Sequence, residues 1–75
     1  MVDLEAALLA AHGREDKQEL VRLYHEAAQH YEDDENRAAF YLTHAYIFAL
    51  ECGAPEAASL NRLLAQQGRE VLQEF

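Results

Sequence analysis

The segment from Arg37 to Cys52 constrains the fold of this chain more than any other part of the sequence. Twelve of its sixteen residues are apolar, and at about 100° per residue they are spread around the whole circumference of a helix. A helix that is apolar on all sides has to be covered by other elements on several sides. The segment is therefore predicted to be a central helix on which the rest of the chain packs.

Boundary signals divide the chain into four predicted helices. Gly13, Gly53 and Gly68 each follow a helix-patterned stretch, as left-handed C-terminal caps do. Pro55 stands where a first helical residue is expected. The predicted helices run from about Asp3 to His12, from Asp16 through the periodic positions up to Tyr31, from Arg37 to Cys52, and from Pro55 to Gln67.

The second helix has the clearest pattern. Asp16 stands three residues before Glu19 in a capping-box arrangement, and Arg22 and Glu26 form an i,i+4 pair on the polar side. Its apolar positions follow the helical spacing: Leu20, Leu23, Tyr24, Ala27, Ala28 and Tyr31. One apolar face is also predicted on the first helix, from Leu4, Ala7, Leu8 and Ala11, and on the fourth, from Ala57, Leu60, Leu63 and Leu64.

The end charges of the third helix oppose its dipole, with Arg37 at the start and Glu51 near the finish. Tertiary packing, rather than local electrostatics, is therefore expected to hold this helix. After Gly68, the apolar residues Val71, Leu72 and Phe75 suggest a further short turn.

Length and charge limit the possible functions. A chain of 75 residues makes a single domain, residues 1–75, near the lower limit for a self-sufficient core, and a second copy is one way to complete it. The lone Cys52 excludes an internal disulfide, and with no secretory signal this favours the cytoplasm.

A net charge of −8 repels phosphate, so neither nucleic acid nor an anionic membrane is an expected partner. Thr43 and His44 interrupt an apolar run too short to span a bilayer.

The region from Leu20 to Pro55 resembles a tetratricopeptide-type helix pair. The resemblance rests on its length and on small and aromatic packing positions: Tyr24, Ala27, Ala38, Tyr46, Ala49-Leu50 and Pro55. It implies an all-α, compact four-helix domain in which an antiparallel helix pair is flanked by two further helices. The whole chain also resembles short uncharacterised proteins of alphaproteobacteria through Phe40-Tyr-Leu-Thr-His-Ala-Tyr46 and Phe48-Ala-Leu-Glu51, which implies no activity.

The histidines do not form a recognisable catalytic motif. His25 and His30 are five residues apart, so their rings point about 140° apart and cannot share a metal as an i,i+4 pair does. His25 is interpreted as a surface residue. Cys52 stands beside Glu51, and a neighbouring acid works against a reactive thiolate. The acidic turn at 32–35 lacks the residue pattern of a calcium-binding loop. We therefore expect no enzymatic activity, cofactor or metal.

The third helix is expected to be apolar on more sides than its neighbours cover, because the first helix is short, so some of its large apolar side chains should stay exposed in a monomer. An apolar patch with an acidic rim usually marks a protein interface, and a homodimer would cover it at least cost. The predicted function is a protein-interaction module that self-associates or binds a helical partner segment. The candidate interface residues are Phe40, Tyr41, His44, Ile47, Phe48, Leu72 and Phe75. A small-ligand or metal site centred on His44 is the alternative.

Overall fold

The computed structural model describes residues 4 to 70, which form four α-helices: α1 (Leu4–Gly13), α2 (Lys17–His30), α3 (Glu35–Cys52) and α4 (Glu56–Gln66). This confirms the predicted all-α, four-helix domain. None of these helices is both long enough and apolar enough to cross a membrane. The predicted helix start at Asp3 and the tail residues Val71, Leu72 and Phe75 lie outside the described residues.

Aspartate side chains begin two of the helices. Asp16 Oδ1 accepts a hydrogen bond from the backbone N–H of Glu19 at 3.2 Å, which confirms Asp16 as the predicted cap of α2. The reciprocal half of the capping box is not formed, because the Glu19 carboxylate accepts from Arg22 and the Asp16 N–H bonds Ala11 O.

Asp34 Oδ1 accepts in the same way from Arg37 N–H at 3.2 Å. The sequence offered Asn36 or one of the preceding aspartates as this cap, and with Asp34 in that role α3 begins at Glu35 rather than at about Arg37. The first turn thus carries an acid that suits the helix dipole, contrary to the expectation from Arg37 alone.

Three helices end in the same turn. In each, a left-handed residue donates its N–H back into the last helical turn and the next residue bonds one step further back, as in a Schellman motif. Gly53 and Gly68 occupy the left-handed position after α3 and α4, as predicted. The prediction for Gly13 is wrong. Gly13 is the last residue of α1, and the left-handed residue is Glu15, with φ 54°. The next residue completes the turn, with Asp16 N–H bonded to Ala11 O at 3.0 Å.

The helices pack chiefly against their neighbours in sequence, and α2 with α3 makes the most extensive contact. The larger core joins α2, α3 and α4, and its members are Val21, Ala28, Leu42, Ala45, Tyr46, Ala49, Ala54, Ala57, Leu60 and Leu64. A smaller core joins α1 to α2 through Ala11, Leu20 and Leu23. Tyr24 and Phe48 pack against both cores and so connect them.

The buried side of α4 differs from the predicted one. Ala57, Leu60 and Leu64 are buried as expected, but Leu63 is exposed and Asn61 is fully buried in its place. A buried amide is tolerated here because Asn61 Nδ2 donates a hydrogen bond to Tyr46 Oη at 3.2 Å. The polar pair therefore fixes how α4 is rotated against α3.

Candidate interaction surface

One side of the central helix α3 is left open by the other helices. Ala39, Leu42, Ala45, Tyr46 and Ala49 face the interior and are buried. On the far side, the side chains of Phe40, Ile47 and Leu50 are 57%, 47% and 49% exposed. The prediction that α3 is apolar on more sides than its neighbours cover is thus confirmed for the described residues.

Three exposed apolar residues of α3 and the half-buried Thr43 among them follow a heptad spacing. Phe40, Thr43, Ile47 and Leu50 are separated by three, four and three residues, and we name them the α3 seam. At about 100° per residue, they fall within an arc of about 80°. This is the a/d pattern by which one helix packs lengthwise on another.

Charged and polar side chains flank the seam along one edge, where Arg37, His44 and Glu51 follow each other at intervals of seven residues. The Arg37 guanidinium lies 4.8 Å from the centre of the Tyr31 ring, and a Glu51 carboxylate oxygen lies 3.9 Å from Lys17 Nζ. His44 Nδ1 is 2.9 Å from the carbonyl oxygen of Phe40 in the preceding turn.

Beside this edge, ring contacts connect three helices. Tyr24 of α2 stacks on Phe48 of α3 with ring centres 5.8 Å apart, and its ring lies 5.2 Å from that of His44. From α1, His12 Nε2 is 2.8 Å from Tyr24 Oη, and the His12 ring packs edge-on against Phe48. These contacts hold α1 in place and half-bury the α3 aromatics that face α2.

The predicted interface residues therefore separate into three groups. Phe40 and Ile47 are exposed on the α3 seam, whereas Tyr41, His44 and Phe48 are half-buried against Tyr24. Leu72 and Phe75 lie outside the described residues. Sequence reasoning missed Leu50, although its heptad spacing from Phe40 and Ile47 could have revealed it.

A cleft of about 550 Å³ lies on another side of the domain, between the end of α2, the start of α3 and the end of α4. Its polar lining includes His25, Glu32, Asp33 and Glu35 above an apolar floor that contains Leu42. His25 is half-buried and also lines a second, smaller cleft, so it is more enclosed than the sequence suggested. Within residues 4 to 70, no group of three or more metal-binding side chains comes together.

His44 lines neither of these two clefts. Its Nδ1 already contacts the Phe40 carbonyl, and its ring packs against the rings of Phe40 and Tyr24. The histidine thus serves as a packing residue at the edge of the seam. A small-ligand or metal site centred on it stays a prediction.

Comparisons with protein-family models, with curated proteins and with solved structures found no match. The resemblances to a tetratricopeptide helix pair and to short alphaproteobacterial proteins therefore stay predictions.

Proposed function

We propose that this domain is a non-enzymatic protein-interaction module that binds a helix along the α3 seam. The observation that carries the proposal is the row of exposed Phe40, Ile47 and Leu50 on α3, which half-buried Thr43 completes at heptad spacing. Burying apolar surface stabilises an association by about 25 cal/mol per Å². A helix with its own apolar stripe is the partner that fits a straight, narrow seam.

Charge would select among possible partners. The chain carries a net charge of −8, so its field slows the approach of any acidic protein, a second copy included, unless opposite charges face each other locally across the contact. The location that suits the module is the cytoplasm, where the single thiol of Cys52 stays reduced.

Affinity capture from the native cell, followed by mass spectrometry, tests the proposal with a matched pair of variants. Ile47→Asp places a charge in the middle of the seam, and Leu9→Asp makes the same change at a leucine of α1 that is 68% exposed. We expect the wild type and Leu9→Asp to retain the same partners, and Ile47→Asp to lose them.

Circular dichroism of both variants checks that each one is folded. Equal capture by folded Ile47→Asp and by wild type would contradict the proposal, since a desolvated aspartate cannot be accommodated in an apolar contact without loss of affinity.

A further inference from the structure

The two edges of the α3 seam differ in charge and in burial. One edge carries Arg37, His44 and Glu51, each seven residues from the next. The other edge is formed by Ala39 and Tyr46, which are buried in the domain itself. In heptad terms, charges occupy the e positions, while the g positions belong to the core.

An antiparallel pairing of two α3 helices brings the charged edges together. When the seam is centred on itself, Phe40 packs against Leu50 of the second copy, and Thr43 packs against Ile47 of the second copy. The same register places Arg37 beside Glu51 of the second copy, once at each end of the contact. Opposite charges at such flanking positions set the orientation of paired helices.

A parallel pairing offers no such match. There the charged edge of each helix would face the Ala39 and Tyr46 edge of the other, where no counter-charge stands. Arg37 and Glu51 thus complement a reversed copy of the same helix.

Building on the proposed function, we infer that the α3 seam binds a second copy of this chain, with the two α3 helices antiparallel and related by a two-fold axis near His44. Arg37 and Glu51 are both exposed, and their contacts within the domain, with the Tyr31 ring and with Lys17, lie at the surface. Both side chains can therefore reach across the contact.

The contact is short. From Phe40 to Leu50 it extends roughly 15 Å at about 1.5 Å per residue, which is small for a stable dimer. The dimer is therefore expected to dissociate on dilution.

Charge reversal tests the register. In a homodimer of Arg37→Glu, glutamates would face each other at both ends, and in a homodimer of Glu51→Arg, arginines would. Sedimentation equilibrium should show self-association weakened about tenfold in each variant. An equimolar mixture of the two should associate at least as tightly as the wild type, because both ends then pair opposite charges. A mixture no tighter than either variant alone would overturn the antiparallel register.

Disulfide formation tests the same geometry without altering charge. In a Cys52→Ser background, chains with Thr43→Cys are mixed with chains with Ile47→Cys under mild oxidation. A disulfide requires Cα atoms within about 7 Å, so the antiparallel register predicts a cross-link in the mixture. Efficient cross-linking within either variant alone would instead show a parallel pair.

The two proposals can fail separately. A wild-type chain that stays monomeric at all concentrations, while its capture of other proteins still depends on Ile47, would refute the self-pairing and leave the proposed function standing. If the chain stays monomeric and Ile47→Asp captures the same proteins as the wild type, both proposals are refuted.

Discussion

Asn61 Nδ2 donates a hydrogen bond to Tyr46 Oη across the α3–α4 contact, with both residues buried. The bond explains why α4 turns an amide inward and leaves Leu63 exposed. It adds a polar contact to the apolar packing of Ala57, Leu60 and Leu64 that joins α4 to the core.

Removing that hydroxyl should weaken the fold. Tyr46→Phe keeps the ring but deletes the acceptor used by Asn61, so we expect a loss of about 1–2 kcal/mol in the free energy of unfolding. Urea denaturation measures the loss, and Tyr41→Phe, which removes a hydroxyl at the half-buried edge of the domain, is the control. Equal stabilities for Tyr46→Phe and the wild type would mean that the bond contributes nothing.

Phe48 and Phe40 should respond differently to truncation. Phe48 packs against both cores and stacks on Tyr24, so Phe48→Ala is expected to cost about 2 kcal/mol or more of unfolding free energy. Phe40 is mostly exposed, and Phe40→Ala should change the stability of a dilute sample by less than about 1 kcal/mol. Thermal unfolding of the two variants at low concentration makes the comparison, and similar losses would contradict the assignment of Phe48 to packing and Phe40 to the surface.

Substitutions at two left-handed turn positions should change the stability of the domain in opposite directions. Glu15 has φ 54°, a conformation that costs a side-chain-bearing residue about 1 kcal/mol, so Glu15→Gly should stabilise the domain by up to about that amount. Gly53 has φ 65°, and Gly53→Ala should destabilise it by a similar amount. Urea midpoints of the two variants that move in the same direction would show that these turns are not as described.

Deprotonation of Tyr24 should lower the stability of the domain at alkaline pH. Burial raises the pKa of Tyr24 above its usual value of 10.0, and the nearby Tyr41 raises it further. The unfolded chain therefore loses this proton first, so the stabilisation is complete below about pH 10 and is lost as the pH rises through the folded-state pKa.

Denaturation of Tyr24→Phe at about pH 8 and about pH 11 tests this dependence. The variant should lose less stability over that interval than the wild type. A decline as steep in Tyr24→Phe as in the wild type would assign the effect to other groups.

Local rules predicted much of the fold because they act within one helix. The cap at Asp16, the Arg22–Glu26 pair and the left-handed Gly53 were all predicted from residues within four positions, and the structure confirms each of them. The turn at Glu15 escaped because glycine is the usual left-handed residue and Gly13 stands nearby.

The burial of particular side chains depends on distant parts of the chain. Phe48 is covered by His12, thirty-six positions earlier, and Asn61 is tolerated inside because Tyr46 supplies an acceptor. Neither contact can be predicted from the spacing of residues within one helix. Counting the sides of α3 that the other helices can cover predicted that some of its large apolar residues stay exposed, but not that these would be Phe40 and Ile47 rather than Tyr41 and Phe48.

The central claim is that the α3 seam is covered when the protein functions. Thiol labelling in the native cell tests it most directly, in a Cys52→Ser background with Ile47→Cys or, as the exposed reference, Leu9→Cys. We predict that the cysteine at position 47 reacts several-fold more slowly in the cell than in dilute purified protein, while the cysteine at position 9 reacts at similar rates in both. If the position-47 cysteine reacts as fast in the cell as in dilute solution, the seam is open and the account is contradicted.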